Sequence, residues 1–531
     1  MGFRISSIRY IVIMAIFAIS SCMNGAFINL APKYEPANFV VPDAWQGEGP
    51  FIKANPGGEE IPMDWWKLFG DPELDQLEEQ AMEANADLQA ASERFLQARD
   101  IIIRVKSRLI PNLGVGLNLS NNKQSEDALF RGALDPVSDN NVSVGASASW
   151  EPDFWSSIRN ETWAKVYEAE SIAAEYALAR LSLQSEVASN YFMLRGLDAK
   201  KETYDLSIQY YKQLLELVTK RFQGGISPKI DLFRAEFLLN TAEAKRYEIL
   251  SQRRLVENAI AILVNQSPSK FQIAEQPKLS SVTFKLPITL PAKLLERRPD
   301  IAAAERKMAR ANREIGMARA AFFPNVSFGA RGGLEASKDL FNLSNSYWSY
   351  GSTATIPIFQ GGYRRAQLQQ AWSAYRQTED VYRSTVLNAF REVENNLTQT
   401  KFLFLQTKKL EVAVDMALQT QDMTTQLYTA GLSNSMEILY AQLGTLESKL
   451  SAVQVKTDLL TTTVSLVRSL GGGWNKSHLP GEDEVEPFGI FSDTDVDHIQ
   501  PTKGVPNPSL DNKKFNNLTA PSKWNQEKGN E

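Results

Sequence analysis

Few residues in this chain are of the types on which most enzyme and metal sites depend. The 531 residues include two histidines, His478 and His498, both near the C-terminal end, and one cysteine, Cys22, near the N-terminal end. No histidine-dependent triad, histidine metal cluster or histidine general base can therefore lie in the main body. A single cysteine forms no disulfide within the chain. We predict that the protein is not an enzyme and has no catalytic residues and no metal site.

Concentrated positive charge is lacking as well. Lysine and arginine total 57 against 62 aspartate and glutamate residues, a formal net charge of −5. Because nucleic-acid binding needs a concentrated basic face, no nucleic-acid partner is expected. The acidic run at residues 493–498 resembles the start of a calcium loop, but His498 replaces the required glycine and Gly504 the required glutamate. A solvated acidic run is the favoured interpretation.

The N-terminus has the order of an export signal. Arg4 and Arg9 precede the apolar run YIVIMAIFAIS, which is followed by a small-residue stretch ending at Cys22. The run is too short to remain as a membrane-spanning helix. The four residues that end at Cys22 resemble a bacterial lipobox. We therefore predict a lipoprotein signal peptide over residues 1–21 and a covalent lipid on Cys22, with no other cofactor.

Two halves of the chain repeat each other in several blocks. DLQAASER at residues 87–94 returns as DIAAAERK at residues 300–307, 213 residues later. RFQGGISPKIDLFRAE at residues 221–236 returns as LYTAGLSNSMEILYAQ at residues 427–442, 206 residues later. The shared order predicts an internal duplication. The predicted domains are an extended N-terminal arm (22–64), a first repeat (65–266), a proline-rich linker (267–292), a second repeat (293–475) and a polar, largely disordered tail (476–531).

Four segments, two in each repeat, alternate between apolar and small polar residues. In the first segment, leucine and valine at positions 113, 115, 117 and 119 alternate with asparagine, glycine and serine. A period of two is typical of β-strands. A polar face of small residues, an apolar opposite face and aromatic residues near the strand ends fit a membrane barrel. A soluble β-sandwich would give the same alternation and is the alternative interpretation.

Long helices are predicted after the strands of each repeat. No proline interrupts residues 153–227 or 358–479, so no residue there breaks a helix from within. Apolar residues recur at steps of three and four, and a continuous helix over residues 157–222 would extend roughly 100 Å. An apolar seam of that length calls for coiled-coil neighbours. Glycine-containing turns at residues 224–228 and 430–435 then reverse the chain into another helix.

Four strands per chain leave two sheet edges unpaired. In hydrocarbon each unpaired backbone group costs several kcal/mol, so two edges of about ten residues would cost tens of kcal/mol. The smallest single-chain membrane barrels have about eight strands. Subunits must therefore pair edge to edge, and these considerations leave a dimer and a trimer equally open.

Four stretches of the sequence also carry a resemblance to a known family. They are WWKLFGDPELDQLEEQAMEANADLQAA from Trp65, LLERRPDIAAAERKMARANREIGMARAAFFPNVS from Leu294, LNAFREVENNL from Leu387 and LVRSLGGGW ending at Trp474. Over about residues 60–475 the chain resembles the outer-membrane efflux protein (TolC) family, in its NodT-type lipoprotein branch. The resemblance implies a mixed fold of helices and membrane β-strands. It implies a homotrimer whose four strands per chain complete a 12-stranded β-barrel, continued by a long α-helical coiled-coil barrel.

The same resemblance implies a function and its partners. Such proteins are passive exit ducts of tripartite RND-type efflux pumps in the outer membrane of Gram-negative bacteria. They dock through a periplasmic adaptor protein to an inner-membrane transporter, and a lipid on Cys22 would anchor this chain among the outer-membrane lipids. Two alternatives stay open: the outer-membrane duct of a type I protein secretion system, and a non-conducting coiled-coil lipoprotein that braces the envelope.

The resemblance implies adaptor contacts at the two helical turns. The expected contact residues are Arg221, Phe222, Gly224 and Gly225 in the first turn, and Tyr428, Gly431 and Leu432 in the second. The second turn departs from the family pattern because Leu427 replaces its arginine. One of the expected polar contacts is therefore absent from that turn.

The resemblance also implies a constriction of the pore just beyond the second turn. Relatives place an apolar residue there and an aspartate one helical turn later, whereas this chain has Met436 and Tyr440, with Glu437 between them. The acidic ring of the relatives is therefore missing or displaced. Because positions i and i+4 share one helical face, we predict an apolar gate of Met436 and Tyr440. Ordinary helix packing is the alternative interpretation of the same spacing.

Overall fold

Two copies of one structural unit make up most of the fold. A computed structural model of the chain describes residues 28–35, 41–42, 45–46, 52–53, 61–123, 125, 138–277, 279, 287–288, 291–336 and 339–485. In chain order its helices and strands are β1 (Ile52–Lys53), α1 (Pro72–Ala84), α2 (Ala86–Lys106), β2 (Asn112–Lys123), β3 (Ser138–Trp150), α3 (Ser157–Gln223), α4 (Lys229–Leu263), β4 (Pro287–Ile288), α5 (Pro291–Arg297), α6 (Pro299–Ala320), β5 (Asn325–Ala336), β6 (Ser346–Thr355), α7 (Tyr363–Thr429), α8 (Ser435–Ser469) and α9 (Glu482–Val485). Short 3₁₀ turns occur at Trp65–Phe69, Ser107–Leu109, Leu343–Asn345 and Lys476–His478.

The two units match element by element. α3 and α7 each contain 67 residues, and α4 and α8 each contain 35. A helix pair, a strand pair, a long helix and a shorter helix thus occur twice in the same order. This agrees with the internal duplication predicted from the repeated sequence blocks.

The first helical segment of each unit is divided in two, which the sequence pattern did not predict. Asn85 ends α1 and begins α2, because its side-chain oxygen accepts a hydrogen bond from the Leu88 amide at 3.0 Å. The side-chain amide nitrogen of Asn85 donates to the carbonyl oxygen of Leu263, at the end of α4, at 3.0 Å. The hydrogen bonds of Asn85 therefore connect the junction of α1 and α2 to the end of α4.

The long helices follow the proline-free stretches as predicted. α3 would measure about 100 Å from end to end at 1.5 Å per residue. It buries residues such as Val187, Tyr191 and Leu194, at steps of four and three, and it packs against α2, α4, α6 and α8. The main core thus lies between the helix bundles of the two units. Among the described residues, no helix carries an apolar stretch of sufficient length to cross a membrane.

The four long strands form one antiparallel sheet in the order β2–β3–β5–β6. The pairing of β3 with β5 joins the two units, with Gly145 opposite Gly333. The register keeps the predicted alternation, because Leu113, Ala148, Ala330 and Tyr350 fall in one row, while the adjacent row holds Asn112, Ser149, Gly329 and Gly351. Within the described residues, the outer edges of β2 and β6 pair with no strand.

The N-terminal arm and the linker meet in a second, small sheet that the sequence did not predict. β1 of the arm pairs in parallel with β4 of the linker. Nearer its start, the arm is held by Tyr34, whose hydroxyl donates to the Glu305 carboxylate at 3.2 Å. The same carboxylate accepts hydrogen bonds from Arg306 and Lys476. Glu305 therefore joins the arm, α6 and the residues after α8.

A buried cluster of charged residues fixes the first part of the linker. Asp198 of α3 accepts from Arg195 at 3.0 Å and from Arg253 of α4 at 2.6 Å, and all three residues are buried. The two guanidinium groups also donate to the linker carbonyls of Ala274 and Ile273. Each buried charge thus has hydrogen-bond partners, which buried ion pairs need if they are not to destabilise the fold.

The first ten residues of the predicted polar tail belong to the described structure. Residues 476–485 are ordered against the body: the Val485 side chain is fully buried and its carbonyl accepts from Arg99 of α2 at 3.0 Å. These contacts join positions almost 400 residues apart, so local composition gave no sign of them. Residues 486–531 of the predicted tail, like the signal peptide and Cys22, lie outside the described residues.

One buried carboxyl group in α1 leads to a prediction about how the stability of the native state depends on pH. Glu78 is fully buried, and neither of its carboxylate oxygens has a hydrogen-bond partner among the described residues. Burial, with a smaller contribution from the Asp75 carboxylate, raises the pKa of Glu78 well above its usual range. The unfolded chain loses this proton near pH 4.3. The native state therefore loses stability as pH rises from that value toward the raised pKa.

Glu78→Gln is expected to stabilise the protein at pH 7, because burial of a neutral glutamine side chain does not require the native state to take up a proton at that pH. The gain should vanish below about pH 4, where the carboxyl is neutral in both states. Thermal unfolding in detergent at both pH values measures the effect. Glu79→Gln, at the exposed neighbouring position, is the control and should change little. A gain that does not depend on pH would contradict the prediction.

Candidate functional site

The small polar residues predicted to line a lumen do share one face of the sheet. An open cleft of about 780 Å³ lies against that face. Its lining includes Asn112, Ser147, Ser149, Ser327, Arg331, Ser349 and Thr353. Small polar side chains on an inner face are typical of water-filled barrels. Arg331, on this polar face, is a residue that sequence reasoning missed.

The opposite face of the sheet is apolar and open to the surroundings. The exposed fractions are 78% for Leu113, 84% for Val115, 75% for Trp348 and 78% for Tyr350. The rings of Trp348 and Tyr350 stack with their centroids 5.8 Å apart. A soluble sandwich would bury such residues in its core. This face is instead suited to lipid.

Aromatic side chains gather where the strands meet the helices, an end that we call the helical end of the sheet. Trp155, just before α3, stacks on Phe323 with ring centroids 4.5 Å apart and donates its indole hydrogen to the Pro324 carbonyl at 2.8 Å. Trp150, at the end of β3, donates to the Leu109 carbonyl at 3.0 Å. Such residues, with one apolar and one polar end, are enriched where membrane meets water.

The described start of the N-terminal arm lies at the same end of the sheet. The Ile28 amide donates to the carbonyl oxygen of Phe154 at 3.3 Å. Asn29 accepts from the buried Asn160 of α3 at 3.1 Å. Gly316 of α6 permits this approach, since a Cβ atom there would lie 2.9 Å from the Cβ atom of Ala31. The arm from Ile28 onward is thus held beside the aromatic residues.

The two predicted turns have the same backbone geometry at the other end of the long helices. Gly225 and Gly431 adopt left-handed φ angles of 72° and 78°, which glycine tolerates without strain. In each turn an amide donates back five residues, from Ile226 to Arg221 and from Leu432 to Leu427, at 2.9 Å. Gly224, by contrast, has a right-handed φ of −76°.

Arg221 of the first turn contacts the second turn directly. Its guanidinium donates to the Tyr428 carbonyl at 2.9 Å and lies 4.3 Å from the centre of the Tyr428 ring. Tyr428 is buried, whereas Phe222 and Leu432 are exposed. The structure therefore brings together one predicted residue from each turn. The family's second arginine would stand at Leu427, which is 43% exposed.

Asp231 provides a second connection between the turns, which sequence reasoning missed. Its buried carboxylate accepts from Ser227 at 2.8 Å and from Ser435 of α8 at 2.6 Å. In the other repeat, Ser433 donates to Glu437 over the same spacing of four residues. The duplicated Ser-x-x-x-acid spacing was a signal for this local bond. No local sequence pattern indicated the hydrogen bond between Asp231 and Ser435. We call this bond, together with the contact between Arg221 and Tyr428, the inter-turn contact.

The three residues predicted to form the gate lie in the first two turns of α8. Tyr440 is 66% exposed, while Met436 is half-buried beside the apolar residues under the turns. Asn434 begins the helix by accepting from the amides of Met436 and Glu437. Nowhere in the described part of the chain do three or more His, Cys, Asp or Glu residues come together so that they could hold a metal ion.

Removal of the Arg221 side chain is expected to loosen both turns. Arg221→Ala loses a charged hydrogen bond and a cation–π contact, together worth about 1–3 kcal/mol at a half-buried site. Amide hydrogen exchange at residues 221–231 and 427–436 should therefore accelerate about tenfold or more. Lys220→Ala is the matched control, because Lys220 pairs only with Glu216 on its own helix and both are exposed. Equal protection in the two variants would rule out the inter-turn contact as a stabilising element.

Comparison with known proteins adds independent findings. The outer membrane efflux protein family model matches residues 77–266 and 290–472. The pyoverdine export outer membrane protein OpmQ of Pseudomonas aeruginosa is 29% identical over 465 residues, which cover 86% of this chain and 96% of that protein. The cation efflux system protein CusC of Escherichia coli is 27% identical over 471 residues, covering 87% and 98%.

The fold has solved counterparts as well. The outer-membrane channel OprN superposes with a TM-score of 0.74 at 25% sequence identity, over 83% of this chain and 99% of that one. The likeness spans both repeats and nearly the whole length of the channel.

Proposed function

This chain belongs to the outer membrane efflux protein family, and on that premise we propose that it is the outer-membrane duct of a tripartite efflux pump. The observation that carries the proposal is the sheet, which is apolar on one face, lined with small polar residues on the other, and unpaired at both edges within the described chain. Lipid outside and water inside satisfy the two faces. Such a duct makes and breaks no bonds and draws its energy from a partner.

Three copies are proposed to close the sheet. Each copy contributes four strands, and the open edges of β2 and β6 can pair with β6 and β2 of the neighbours. A cyclic arrangement of three copies satisfies every edge and gives a barrel wide enough for an aqueous lumen. The open edges and the family membership together support a homotrimer. Native mass spectrometry in detergent is expected to show a trimer, and a stable monomer with a complete pore would overturn the proposal.

The helices are proposed to continue the duct through the periplasm. α3 and α7 carry the chain about 100 Å from the sheet to the turns, so the turns lie far from the outer membrane. We assign the adaptor contacts to Arg221, Phe222, Gly224 and Gly225, and to Tyr428, Gly431 and Leu432. Phe222 and Leu432 supply exposed apolar groups for such contacts. Through the adaptor the duct would meet an inner-membrane transporter.

A lipid on Cys22 is proposed to anchor the arm. Cys22 precedes Ile28 by six residues, a reach of about 20 Å for extended chain. Because Ile28 is hydrogen-bonded at the helical end of the sheet, that reach would place the acyl chains in the periplasmic leaflet of the outer membrane. Metabolic labelling with palmitate tests this assignment. Cys22→Ser should abolish the label, and persistent label in that variant would refute it.

Met436 and Tyr440 are proposed to narrow the periplasmic opening, with Glu437 as the charged group beside them. Their position in the first turns of α8 and the exposure of Tyr440 support this assignment. Tyr440→Ala should raise single-channel conductance in planar bilayers, while Tyr440→Phe keeps the ring and should behave as the native protein. Unchanged conductance in the alanine variant would mean that the ring only packs against neighbouring helices.

The proposed cargo is drugs or other small toxic compounds. A wide aqueous duct selects little by itself, and proteins similar to this chain include a pyoverdine export outer membrane protein, the outer membrane protein of a solvent efflux pump and a cation efflux system protein. A deletion strain tested against dyes, detergents, antibiotics and metals would define the range. Sensitivity to several unrelated compounds supports multidrug efflux, and sensitivity to metals alone supports a narrower pump. Loss of a secreted protein with unchanged sensitivity would favour a type I secretion duct, and absence of bilayer conductance would favour a structural brace.

A further inference from the structure

Charge is almost absent from the polar face of the sheet. Among the positions on this face whose side chains the structure describes, only Arg331 and Glu335, both on β5, carry a charge. The other positions hold asparagine, serine, threonine, glycine and one tyrosine. Among the described side chains in the strand rows of this face, these two residues are therefore the sources of the field inside a barrel built from this sheet.

Arg331 lies in the row formed by Ser147 of β3 and Ser349 of β6. Its Nε atom donates to the Ser349 hydroxyl at 3.2 Å, which holds the guanidinium on the wall of the cleft. Among the described residues, Arg331 forms no salt bridge. Arg108 and Glu151 also line the cleft, at the helical end of the sheet. Glu151 lies four positions beyond Ser147, the residue opposite Arg331, which is about 13 Å along the strand.

Glu335 does not neutralise Arg331. The two residues are four positions apart on β5, a separation of about 13 Å along the strand. This exceeds the Debye length of about 10 Å at 0.1 M salt. Glu335 is also engaged locally, because it accepts a hydrogen bond from the Asn141 amide. Arg331 and Glu335 therefore act at two separate levels of the lumen.

We propose that Arg331 is a charge-selectivity residue of the duct, which favours small anions and anionic solutes over cations. The inference rests on the proposed trimer, in which symmetry places three Arg331 side chains at one level. A barrel of twelve strands spaced about 4.8 Å apart and tilted about 40° has a backbone radius of about 12 Å. Three guanidinium groups then surround the axis at about 10 Å or less, within one Debye length at 0.1 M salt.

The size of the effect follows from Coulomb's law with screening. Three unit charges about 10 Å away, in water at 0.1 M salt, change the concentration of a monovalent ion on the axis about twofold. Anions increase and cations decrease, so their ratio changes about fourfold. Since the Debye length is only about 3 Å at 1 M salt, the effect should disappear there.

Reversal potentials of the full-length protein in planar bilayers test the proposal. Under a potassium chloride gradient near 0.1 M, Arg331→Gln is expected to lower the chloride-to-potassium permeability ratio about two- to fourfold. Arg331→Lys keeps the charge and should keep the native ratio, which separates charge from packing. At about 1 M salt the three proteins should agree.

The outcomes separate this inference from the proposed function. Channels of Arg331→Gln that conduct with the native permeability ratio would overturn the inference and leave the duct intact. Native protein that forms no channel would overturn the duct and the inference together. A lowered ratio in Arg331→Lys as well as Arg331→Gln would assign the effect to side-chain shape and would also overturn the role of charge.

Discussion

Leu117→Arg is expected to prevent stable insertion of the trimer, whereas Asn118→Arg, one residue further along the same strand, is expected to leave it intact. Leu117 lies at the middle of β2 on the apolar face, 64% exposed, in the row of Val144 and Leu334. An arginine facing lipid at the bilayer midplane costs about 2–4 kcal/mol, and a trimer would contain three, or about 6–12 kcal/mol in all. Few membrane proteins have that much stability to lose.

Asn118 provides the matched control because only the direction of the side chain differs. It pairs with Ser143 on the polar face, and Glu335 lies opposite Ser143 on the next strand. Asn118→Arg would therefore project into water near a carboxylate. We expect its outer-membrane level and its heat-resistant trimer band to stay within about twofold of the native protein, while both fall more than tenfold for Leu117→Arg.

Other results of this pair would contradict the assignment of the faces. Equal loss of both variants would show that β2 tolerates no long side chain on either face. Normal levels of Leu117→Arg trimer would show that this row does not meet lipid. The pair thus tests the lipid-facing row independently of conductance, substrate and adaptor.

The faces of the sheet could be predicted because they depend on local pattern. Strand side chains alternate with a period of two, so the three leucines and one valine of residues 113–119 determined one face without knowledge of the partner strands. The long helices were equally predictable, since the absence of proline over residues 153–227 leaves nothing to end α3. Gly225 and Gly431 indicated both turns because each must adopt a left-handed φ.

Contacts between distant parts of the chain could not be predicted in this way. Asp231 meets Ser435 from 204 residues away, and Arg99 meets the carbonyl of Val485 from 386 residues away. Each partner alone looks like an ordinary surface residue of a helix or a tail. Asp231 and Ser435 meet because one repeat packs on the other, and Arg99 and Val485 meet because the start of the tail packs on α2. No periodicity within one repeat indicates either contact.

Resemblance and local pattern contributed different parts of the functional site. The resemblance directed attention to the turns, where Arg221 and Tyr428 do meet. It offered nothing on Arg331, whose position within the cleft emerges from strand register alone. A charged residue within an alternating segment is the signal that could have revealed it, since a lumen-facing position tolerates charge and a lipid-facing position does not.

Gly471→Ala is expected to destabilise the body of the protein by more than about 4 kcal/mol, a loss that single substitutions seldom reach. Gly471 follows α8 with a φ of 95°, and Gly472 and Gly473 after it also have positive φ. A methyl group at Gly471 would lie 2.0 Å from the carbonyl oxygen of Arg297. Because that oxygen belongs to backbone at the end of α5, no side-chain rotation can relieve the overlap.

The three glycines lie where several parts of the fold converge. A Cβ atom at Gly472 would lie 2.1 Å from a methyl group of Leu181 in α3, and one at Gly473 would lie 2.7 Å from the Ile61 carbonyl of the arm. The end of the second repeat thus packs against α3, α5 and the arm at one point. Any shift that accommodates the alanine must separate at least two of these elements, so the cost is larger than backbone strain alone, about 1–2 kcal/mol.

Gly444→Ala gives a control of opposite sign. Gly444 lies inside α8, and a methyl group there would meet no atom of another element within 4 Å. Alanine in a helix interior is favoured over glycine by about 0.5–1 kcal/mol, so this variant should be slightly more stable than the native protein. Thermal unfolding of the helical body, followed by circular dichroism in detergent, measures both changes. If Gly471→Ala unfolded within about 1 °C of the native protein, the close approach of Gly471 to Arg297 would not exist in solution, because a loss of about 4 kcal/mol shifts the midpoint by about 4 °C in a chain of this size.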